Sequence, residues 1–531
     1  MARILVGTSP ASGHIRPGLP IARELVARGH DVVWYTSDRF KASVERTGAR
    51  HVGFTAAVDI DESDLDSSFP GRSKVKSGIP QLKFDLQSIF VDTIPDYLTD
   101  LRDVAERHVP DMIVVESAFL AAALLAEERD LAWIVYGTTP LTARSVDCAP
   151  LEFGLPPMAG PLGRLRNVVL NALVERVFAR PRKRYQQVRL QLGFAPSDAF
   201  FLDGTAATAP IYLQGTIPEF EYPRRDLPAN VHFVGALLPE APGGSTPPAW
   251  WDELDGTRPV ILVSQGTVKI DPELLIHPTI EALQDEDVLV VATTGGTAPD
   301  DITSRHSATN VRVERFIPFA DLLPHVDVVV TNGGYGGTQQ ALVHGVPVVV
   351  AGVSEGKNEV AARVSWSGAG IDLKTETPIP QKVRAAVRRL LDDPTYAARA
   401  RALQARYAEH DAAGEAADLV ETLLRRTAAP ARKTPPQPDR WRQLPRSAGG
   451  RNPSLTGSAQ RFGGCFTPPR PGGFGATRSV TGARCPRRAS APKGVLRARR
   501  PRRWRRRATN HDDPGAVPLP CLCPTGLMAA L

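Results

Sequence analysis

The sequence predicts an α/β protein made of two Rossmann-like halves, and three observations carry that prediction. Short runs of β-branched and aliphatic residues, apolar on both faces, alternate with segments whose apolar residues recur at helical spacing. The alternation stops in a stretch rich in Pro, Gly and Ser, Pro239–Gly256, and then begins again. In the second half a run at 326–330 enters Thr331-Asn332-Gly333-Gly334-Tyr335-Gly336-Gly337, with four glycines in five positions. Strand, glycine turn and helix start together make an anion seat. The glycines let the backbone approach a ligand without Cβ atoms, and the helix start presents free N–H groups and the positive end of its dipole. The spacing is neither G-x-x-x-x-G-K-[ST] nor G-x-G-x-x-G, so the two commonest phosphate loops are excluded.

The elements follow in order. Residues 3–8 read as a first buried strand, and the loop Ser9-Pro10-Ala11-Ser12-Gly13-His14 leads to Pro17 at a helix start. Leu19, Ile21, Ala22, Leu25 and Val26 give the helix its apolar face, Gly29 stops it, and Asp31–Thr36 is the second strand. Ala49–Phe54, Asp111–Val115 and Ala132–Tyr136 continue a parallel sheet, with a helix over Ala118–Glu128 between the last two. Stretches 55–80 and 141–165 are irregular and lie where loops at strand C-termini shape a pocket. The acidic pairs Asp59/Asp61 and Asp64/Asp66 fall in the first of these and read as solvated. The run Arg164–Leu192 fits one helix, with many arginines beside Leu165, Val168, Leu170 and Leu173. It reads as a solvated face, or as a surface that rests on an anionic membrane and admits a lipid-like substrate. Residues 231–238 close a first domain spanning 1–238, and 239–257 form the linker. A second domain, 258–429, has strands at 260–263, 288–292, 311–315, 326–330 and 348–351, and helices at about 272–284, 380–392 and 394–426.

The chain has 531 residues, 42% hydrophobic and 23% charged, which fits a globular protein of two or three domains. Its net charge of +7 averages two unlike pieces. From Pro430 onward there are 21 Lys and Arg against 3 Asp, a surplus of 18; subtracting it from +7 leaves −11 on residues 1–429. The tail 430–531 is dense in Arg, Pro, Gly and Ser without periodicity, and its composition predicts disorder. It reads as a segment without a role, or as an arm for an anionic partner; nucleic acid binding by the body is not expected. No run approaches the roughly 18 apolar residues of a membrane span, and no secretory leader pattern opens the chain, so a cytoplasmic protein is expected. One cysteine of five, Cys148, lies in the body, which leaves no disulfide framework and no metal-ligand spacing.

Three ordered motifs carry a resemblance over about residues 1–426. The first is Gly13-His14-Ile15-Arg16-Pro17 with Arg28-Gly29-His30-Asp31-Val32; the second is Glu221-Tyr222-Pro223 with Asn230–Gly235; the third is the glycine turn through Gly345-Val346-Pro347. In these the chain resembles the family 1 glycosyltransferases, the UDP-glycosyltransferase and macrolide glycosyltransferase-like group with the two-domain GT-B fold. The resemblance implies an inverting hexosyltransferase that moves a sugar from a UDP- or dTDP-sugar to a hydroxyl of a small, largely apolar acceptor, a natural product or lipid-like molecule.

It also implies site residues. His14 is the general base, a role suited to an imidazole, whose unperturbed pKa is about 6.5, and Glu116 holds it, where the family more often has Asp. Gly13 stands beside the base. On the donor side Gly266 and Thr267, with Gly333, Gly334, Gly336 and Gly337, receive the diphosphate, and Phe316 and Phe319 give the base an aromatic face. Asn332 stands where the family has a phosphate-binding His, Gln340 where a Glu accepts the ribose hydroxyls, and Gly356-Lys357 where an Asp-Gln pair holds sugar hydroxyls. A deoxysugar such as rhamnose therefore fits the donor side as well as glucose. No metal or cofactor is expected beyond the nucleotide sugar, since loop N–H groups and a helix dipole can stabilise the departing diphosphate. Two further readings stay open: a nucleotide-sugar epimerase on the same architecture, and a non-catalytic binding protein acting through its basic tail.

Overall fold

The computed structural model describes residues 1–428 except 63, 77, 198–203, 240–245, 267–270 and 296–297. The tail 430–531 and Thr267 lie outside the described residues. Each half is a parallel sheet. The first contains β1 (Arg3–Gly7), β2 (Asp31–Tyr35), β3 (Arg50–Val52), β4 (Met112–Glu116), β5 (Ala132–Gly137), β6 (Tyr212–Gln214) and β7 (Val231–Phe233), in the order β3-β2-β1-β4-β5-β6-β7. The second contains β8 (Val260–Ser264), β9 (Leu289–Thr293), β10 (Val311–Glu314), β11 (Val328–Thr331), β12 (Val348–Val350) and β13 (Gly370–Asp372), in the order β10-β9-β8-β11-β12-β13.

The doubly apolar runs are explained by burial on both sides. In β1, Leu5 points into one cluster with Val33, Ile113 and Val135, while Ile4 and Val6 point into another with Trp34, Val114 and Tyr136. The second sheet repeats this, with Leu262, Val329 and Val348 on one face and Ile261, Val328 and Val349 on the other. Each such side chain contributes roughly 1.5–3 kcal/mol by leaving water.

Strand order decides where a ligand can sit. The chain reverses direction across the first sheet between β1 and β4, and across the second between β8 and β11. At such a switch point the loops leave to opposite sides and open a crevice at the strand C-termini. The loop that carries His14 follows β1, and Glu116 ends β4; Gln265-Gly266 follows β8, and Asn332-Gly333 follows β11. Both expected half-sites therefore occupy switch points.

Several elements depart from the expected pattern. The run 164–192 is two helices, Gly160–Val177 and Ala179–Gln191. Pro181 has no N–H to donate backward, so the second helix restarts with the proline in its first turn, and Phe178 is buried at the break. The expected helix 394–426 is also two, Pro394–Tyr407 and Ala412–Ala428, and the Asp411 carboxylate accepts the Gly414 N–H (3.1 Å) at the second start. That last helix crosses back to the first sheet. Ala416, Ala417, Val420 and Leu423 join the core of Ile4, Ile21 and Leu25, and Arg28 pairs with Asp418 at 2.5 Å. The segment drawn as the second domain thus ends on the first.

The acidic stretch is open to water as read, with the Asp59 and Asp61 side chains 42% and 48% exposed, and it is also tethered. The Asp59 carboxylate accepts from the Ser37 hydroxyl (2.7 Å), Asp61 pairs with Arg39 (3.0 Å) and Asp64 caps the helix Leu65–Ser68. Among the described residues no helix is long and apolar enough to cross a membrane.

Close approach at one glycine supports the loop after β1. Gly18 opens the helix Gly18–Ala27, and a Cβ there would meet the Tyr136 hydroxyl at 2.7 Å and the Trp34 ring at 2.8 Å. The same Tyr136 hydroxyl donates to the His14 carbonyl at 2.9 Å. We expect Gly18→Ala to lower stability by about 1–3 kcal/mol through overpacking, read by chemical denaturation.

Candidate active site

The first half-site is built on a carboxylate with no access to water. Glu116 is fully buried at the end of β4. Its Oε1 accepts the Ala118 N–H (2.7 Å) and the Ser117 hydroxyl (3.1 Å), with the Thr138 hydroxyl at 3.4 Å. Its Oε2 accepts the Ser9 hydroxyl (3.1 Å) and lies 2.8 Å from His14 Nδ1. Burial by itself raises the Glu116 pKa; the His14 charge and contact, with the Ala118 and Ser9 donors, outweigh it and hold the carboxyl below its ordinary value. For His14 burial disfavours the charged form, but the charge and contact of Glu116 win, with Glu62 adding, and its pKa is raised. His14 and Glu116 thus form the couple the sequence suggested, with the longer Glu side chain reaching the ring.

The loop bearing His14 is a short helical turn, Ser12–Ile15. Glu62 holds it from the acidic stretch, accepting the Ser12 N–H (2.9 Å) and the Ser12 hydroxyl. Gly13 meets open space on its Cβ side and touches nothing that assigns it a ligand contact. The imidazole is about a quarter exposed. With Nδ1 facing Glu116, Nε2 is the nitrogen left for a ligand.

Next to this couple lies a shallow apolar cleft, lined by Pro10, Ile60, Ile89, Phe90 and Phe119, with Ser9 shared between cleft and couple. The Phe90 ring stands 6.4 Å from that of His14. Ile89 and Phe90 belong to a π-helical turn, Leu86–Val91, the kind of local widening that recurs at functional sites. Sequence reasoning missed this wall because a π turn leaves no periodic signature.

The second half-site is the glycine turn. Gly333 takes φ +86°, where only glycine is unstrained, and Gly334 caps the helix Tyr335–Val343. Gly336 and Gly337 in its first turn have open space where a Cβ would project. Asn332 ties the two switch-point turns together, its Nδ2 donating to the Gln265 carbonyl and its Oδ1 accepting the Gly334 N–H at 3.3 Å. Its amide is thus engaged in shaping the seat. Gly266 also has positive φ, +83°, with the Asn332 amide 3.5 Å from where its Cβ would stand. Gln340 is half-buried on the same helix.

A second, small cleft is lined by Gln265, Leu274, Asn332, Gly352, Lys357 and Glu376. The Lys357 ammonium there is paired with Glu355 at 2.7 Å. The two aromatics expected to share one role are separated by burial. Phe316 is 60% exposed and presents an open ring, whereas Phe319 packs partly against the second core. Phe319 thus has less of its ring to offer than Phe316, because its helical turn Phe319–Leu322 packs against that core.

The half-sites meet across the interdomain junction. Both sheets belong to one compact unit, Met1–Pro436. Gln214 at the end of β6 donates through Nε2 to the Thr139 carbonyl (3.0 Å) and to the hydroxyl of Tyr335, the first residue of the glycine-turn helix (3.1 Å). Thr216 and Tyr407 share a hydrogen bond of 2.9 Å across the same junction, and the Tyr407 hydroxyl donates to Gln339 at 3.2 Å. The C-terminal edge of the first sheet thus touches the start of the helix that follows β11. Neither Gln214 nor Tyr335 stood out in the sequence, where nothing marks a partner so far along the chain.

Comparison with known proteins agrees with this arrangement. Residues 278–423 match the family described as erythromycin biosynthesis protein CIII-like, C-terminal domain. The chain is 46% identical over 426 residues to 4'-demethylrebeccamycin synthase of Lentzea aerocolonigenes, covering 80% of this chain and 100% of that protein. It is 35% identical to UDP-glycosyltransferase 2 of Phaeomoniella chlamydospora, over 79% of this chain and 95% of the other. Among solved structures, the glycotransferase of kitacinnamycin superimposes with a TM-score of 0.62 at 25% identity, over 80% of this chain and 98% of that one. A calicheamicin glycosyltransferase shares the fold with a TM-score of 0.60 at 22% identity, over 81% and 99%.

The His14 couple has a direct readout. The Glu116 charge raises the imidazole pKa, so Glu116→Gln removes the larger favourable influence and leaves the burial that opposes protonation. We expect the His14 ring in that variant to titrate at lower pH than in the parent chain, followed by NMR of the imidazole protons.

Proposed function

The chain belongs to the family 1 glycosyltransferases of the GT-B fold, and from that premise we propose that it transfers a hexosyl group from a UDP- or dTDP-sugar to a hydroxyl of a small, largely apolar natural product. In this reading the reaction inverts the anomeric carbon, needs no metal and takes place in the cytoplasm. The observation that carries it is the pairing of switch points: a held imidazole beside an apolar cleft on one sheet, joined through Gln214 and Tyr335 to an open glycine turn on the other.

The chemistry follows from those groups. The acceptor lies in the cleft of Phe90, Ile60 and Phe119 with its hydroxyl toward His14 Nε2, which takes the proton. The freed oxygen attacks the anomeric carbon from the face opposite the diphosphate, and the carbon–oxygen bond to the β-phosphate breaks. The electron pair leaves with the nucleoside diphosphate, whose charge meets the N–H groups at Gly336 and Gly337 and the helix dipole. Glu116 stabilises the imidazolium, and its influence on the His14 pKa makes the imidazole a stronger base. Phe316 offers its exposed ring to the nucleobase, and Gln340 offers one acceptor to the ribose. Lys357 faces the sugar end with its charge balanced by Glu355, an arrangement compatible with a neutral hexose.

The relatives named above are transferases or synthases by name, which favours transfer over epimerisation or a purely binding role. The acceptor class rests on the apolar cleft and on the name of the rebeccamycin relative. We expect His14→Ala to lower turnover by about 10²–10⁴-fold while the thermal shift induced by the nucleotide sugar stays close to that of the parent chain. Near-parental turnover in that variant would remove His14 from the mechanism.

A peripheral membrane contact has its own observation. On the helix Gly160–Val177, Leu162, Leu165 and Val169 recur at three- and four-residue spacing and are 73%, 61% and 57% exposed. Arg164, Arg176, Arg180 and Lys183 are exposed around this stripe. We expect the protein to sediment with phosphatidylglycerol vesicles and not with phosphatidylcholine vesicles, and the double variant Leu165→Asp, Val169→Asp to stay in the supernatant.

A further inference from the structure

One guanidinium holds the two halves together at a place the proposed reaction does not use. Arg363 projects from the helix Lys357–Ser367 and is 2% exposed. Its Nε donates to Glu221 Oε1 at 2.8 Å, and a second nitrogen reaches the same oxygen. Its remaining nitrogen donates to Glu359 Oε2 (2.9 Å) and to the Glu359 carbonyl (3.1 Å). The Tyr222 ring lies 4.1 Å from the guanidinium carbon, and Trp366 meets that ring edge-on at 5.3 Å. Both carboxylates are buried as well.

Each carboxylate passes the hold on to the loop after β5. Glu221 Oε2 accepts the Leu141 N–H at 3.0 Å, and Arg224 donates to the Leu141 carbonyl (2.8 Å) and the Ala143 carbonyl. Glu359 Oε1 accepts the Gly154 N–H at 2.7 Å, and Asn358 beside it donates to the Glu152 carbonyl at 2.7 Å. One residue of the second half thus grips the loop of the first at Leu141 and again at Gly154. The same loop begins at Thr138, which bonds Glu116, and the same helix begins at Lys357, which lines the cleft by the glycine turn.

We infer that Arg363, acting through Glu221 and Glu359, is a positioning residue that locks the loop 138–155 to the segment 352–359, so that the wall beside the His14 couple and the sugar end of the second cleft close as one piece. This rests on the transferase reading for its consequence: a site closed in this way keeps water from the activated sugar until an acceptor is present. A buried ion network costs desolvation and is weak evidence for stability alone; here Arg363 of the second domain reaches Glu221 of the first, and both carboxylates end on a backbone N–H of the first domain's loop, which is what transmission of position requires.

The test uses the full chain with Glu359→Gln and Arg363→Lys. Glutamine keeps an oxygen for Gly154 and loses the charge that holds Arg363; lysine keeps the charge and loses the fork. Arg363→Met is the harsher variant, since it leaves Glu359 buried without its cation and Glu221 with only Arg224, 3.7 Å away. The first readout is backbone hydrogen exchange. The lock predicts that in Glu359→Gln exchange rises at least tenfold at Leu141 as well as at Gly154 and across 352–358, while the outer strands stay protected. Loosening confined to Gly154, or loosening of the whole chain, overturns it.

The second readout is the ratio of nucleotide sugar hydrolysed to sugar transferred. It is expected to rise about tenfold in both variants with the KM for the nucleotide sugar changed less than twofold; an unchanged ratio with reduced kcat is the result of a merely structural role and overturns the inference. Should the parent chain transfer no sugar at all, the transferase reading fails, and the exchange readout still decides the lock.

Discussion

A carboxylate buried without water must collect its hydrogen bonds from the chain around it, and that requirement at Glu116 organises the first half-site. Its donors come from three separate segments: Ser9 after β1, Ser117 and Ala118 after β4, and Thr138 after β5. Those are the loops that leave the sheet at and beside its switch point, so the ion both needs the crevice and fixes its walls. His14 completes the set. An imidazole facing Glu116 through Nδ1 has one orientation and one free nitrogen, and the direction of that nitrogen sets where a hydroxyl must lie to lose its proton. The apolar cleft next to it adds the other half of the constraint, because Phe90 and Ile60 favour an acceptor that is glad to leave water.

The second sheet solves the opposite electrostatic problem with backbone alone. Glycines at 336 and 337 leave the first helical turn open, while the Gly333 and Gly334 N–H groups are held by Thr331 and Asn332, and Asn332 spends its amide on bracing the turn against Gln265. This division of labour has a chemical reason. A proton acceptor must titrate near neutrality, which backbone cannot do, whereas a departing diphosphate needs only fixed donors. The two parts then have to be brought together, and Gln214 with Tyr335 and Arg363 with its two carboxylates do this from either side of the junction.

Much of this was legible in the sequence because it is local. Strands buried on both faces announce themselves as β-branched runs, the glycine turn is contiguous, and His14 sits in a motif with Pro17 close behind it. Glu116 could be paired with His14 only through the family resemblance, since the two are distant in sequence. What was not legible is either non-periodic or carried by distant partners. The π turn 86–91 has no repeat to detect, and β6 is three residues long. The helix Ile94–His108 is a different case: Ile94, Tyr97, Leu98, Leu101 and Val104 form a clear stripe, passed over between irregular stretches. Phe316 and Phe319 look alike on paper, and only packing shows that one ring is open and the other partly packed against the core. Composition likewise does not show that the acidic stretch, though open to water at Asp59 and Asp61, also reaches Ser37, Arg39 and, through Glu62, Ser12.

The return of the helix Ala412–Ala428 to the first sheet bears on how the polypeptide is made. The ribosome finishes β1 and its neighbours early, yet the layer over Ile4, Ile21 and Leu25 lacks Ala416, Val420 and Leu423 until those codons have been read. Until then the layer carries a bare apolar strip open to association with other chains, and a stop codon before position 412 would leave that strip uncovered.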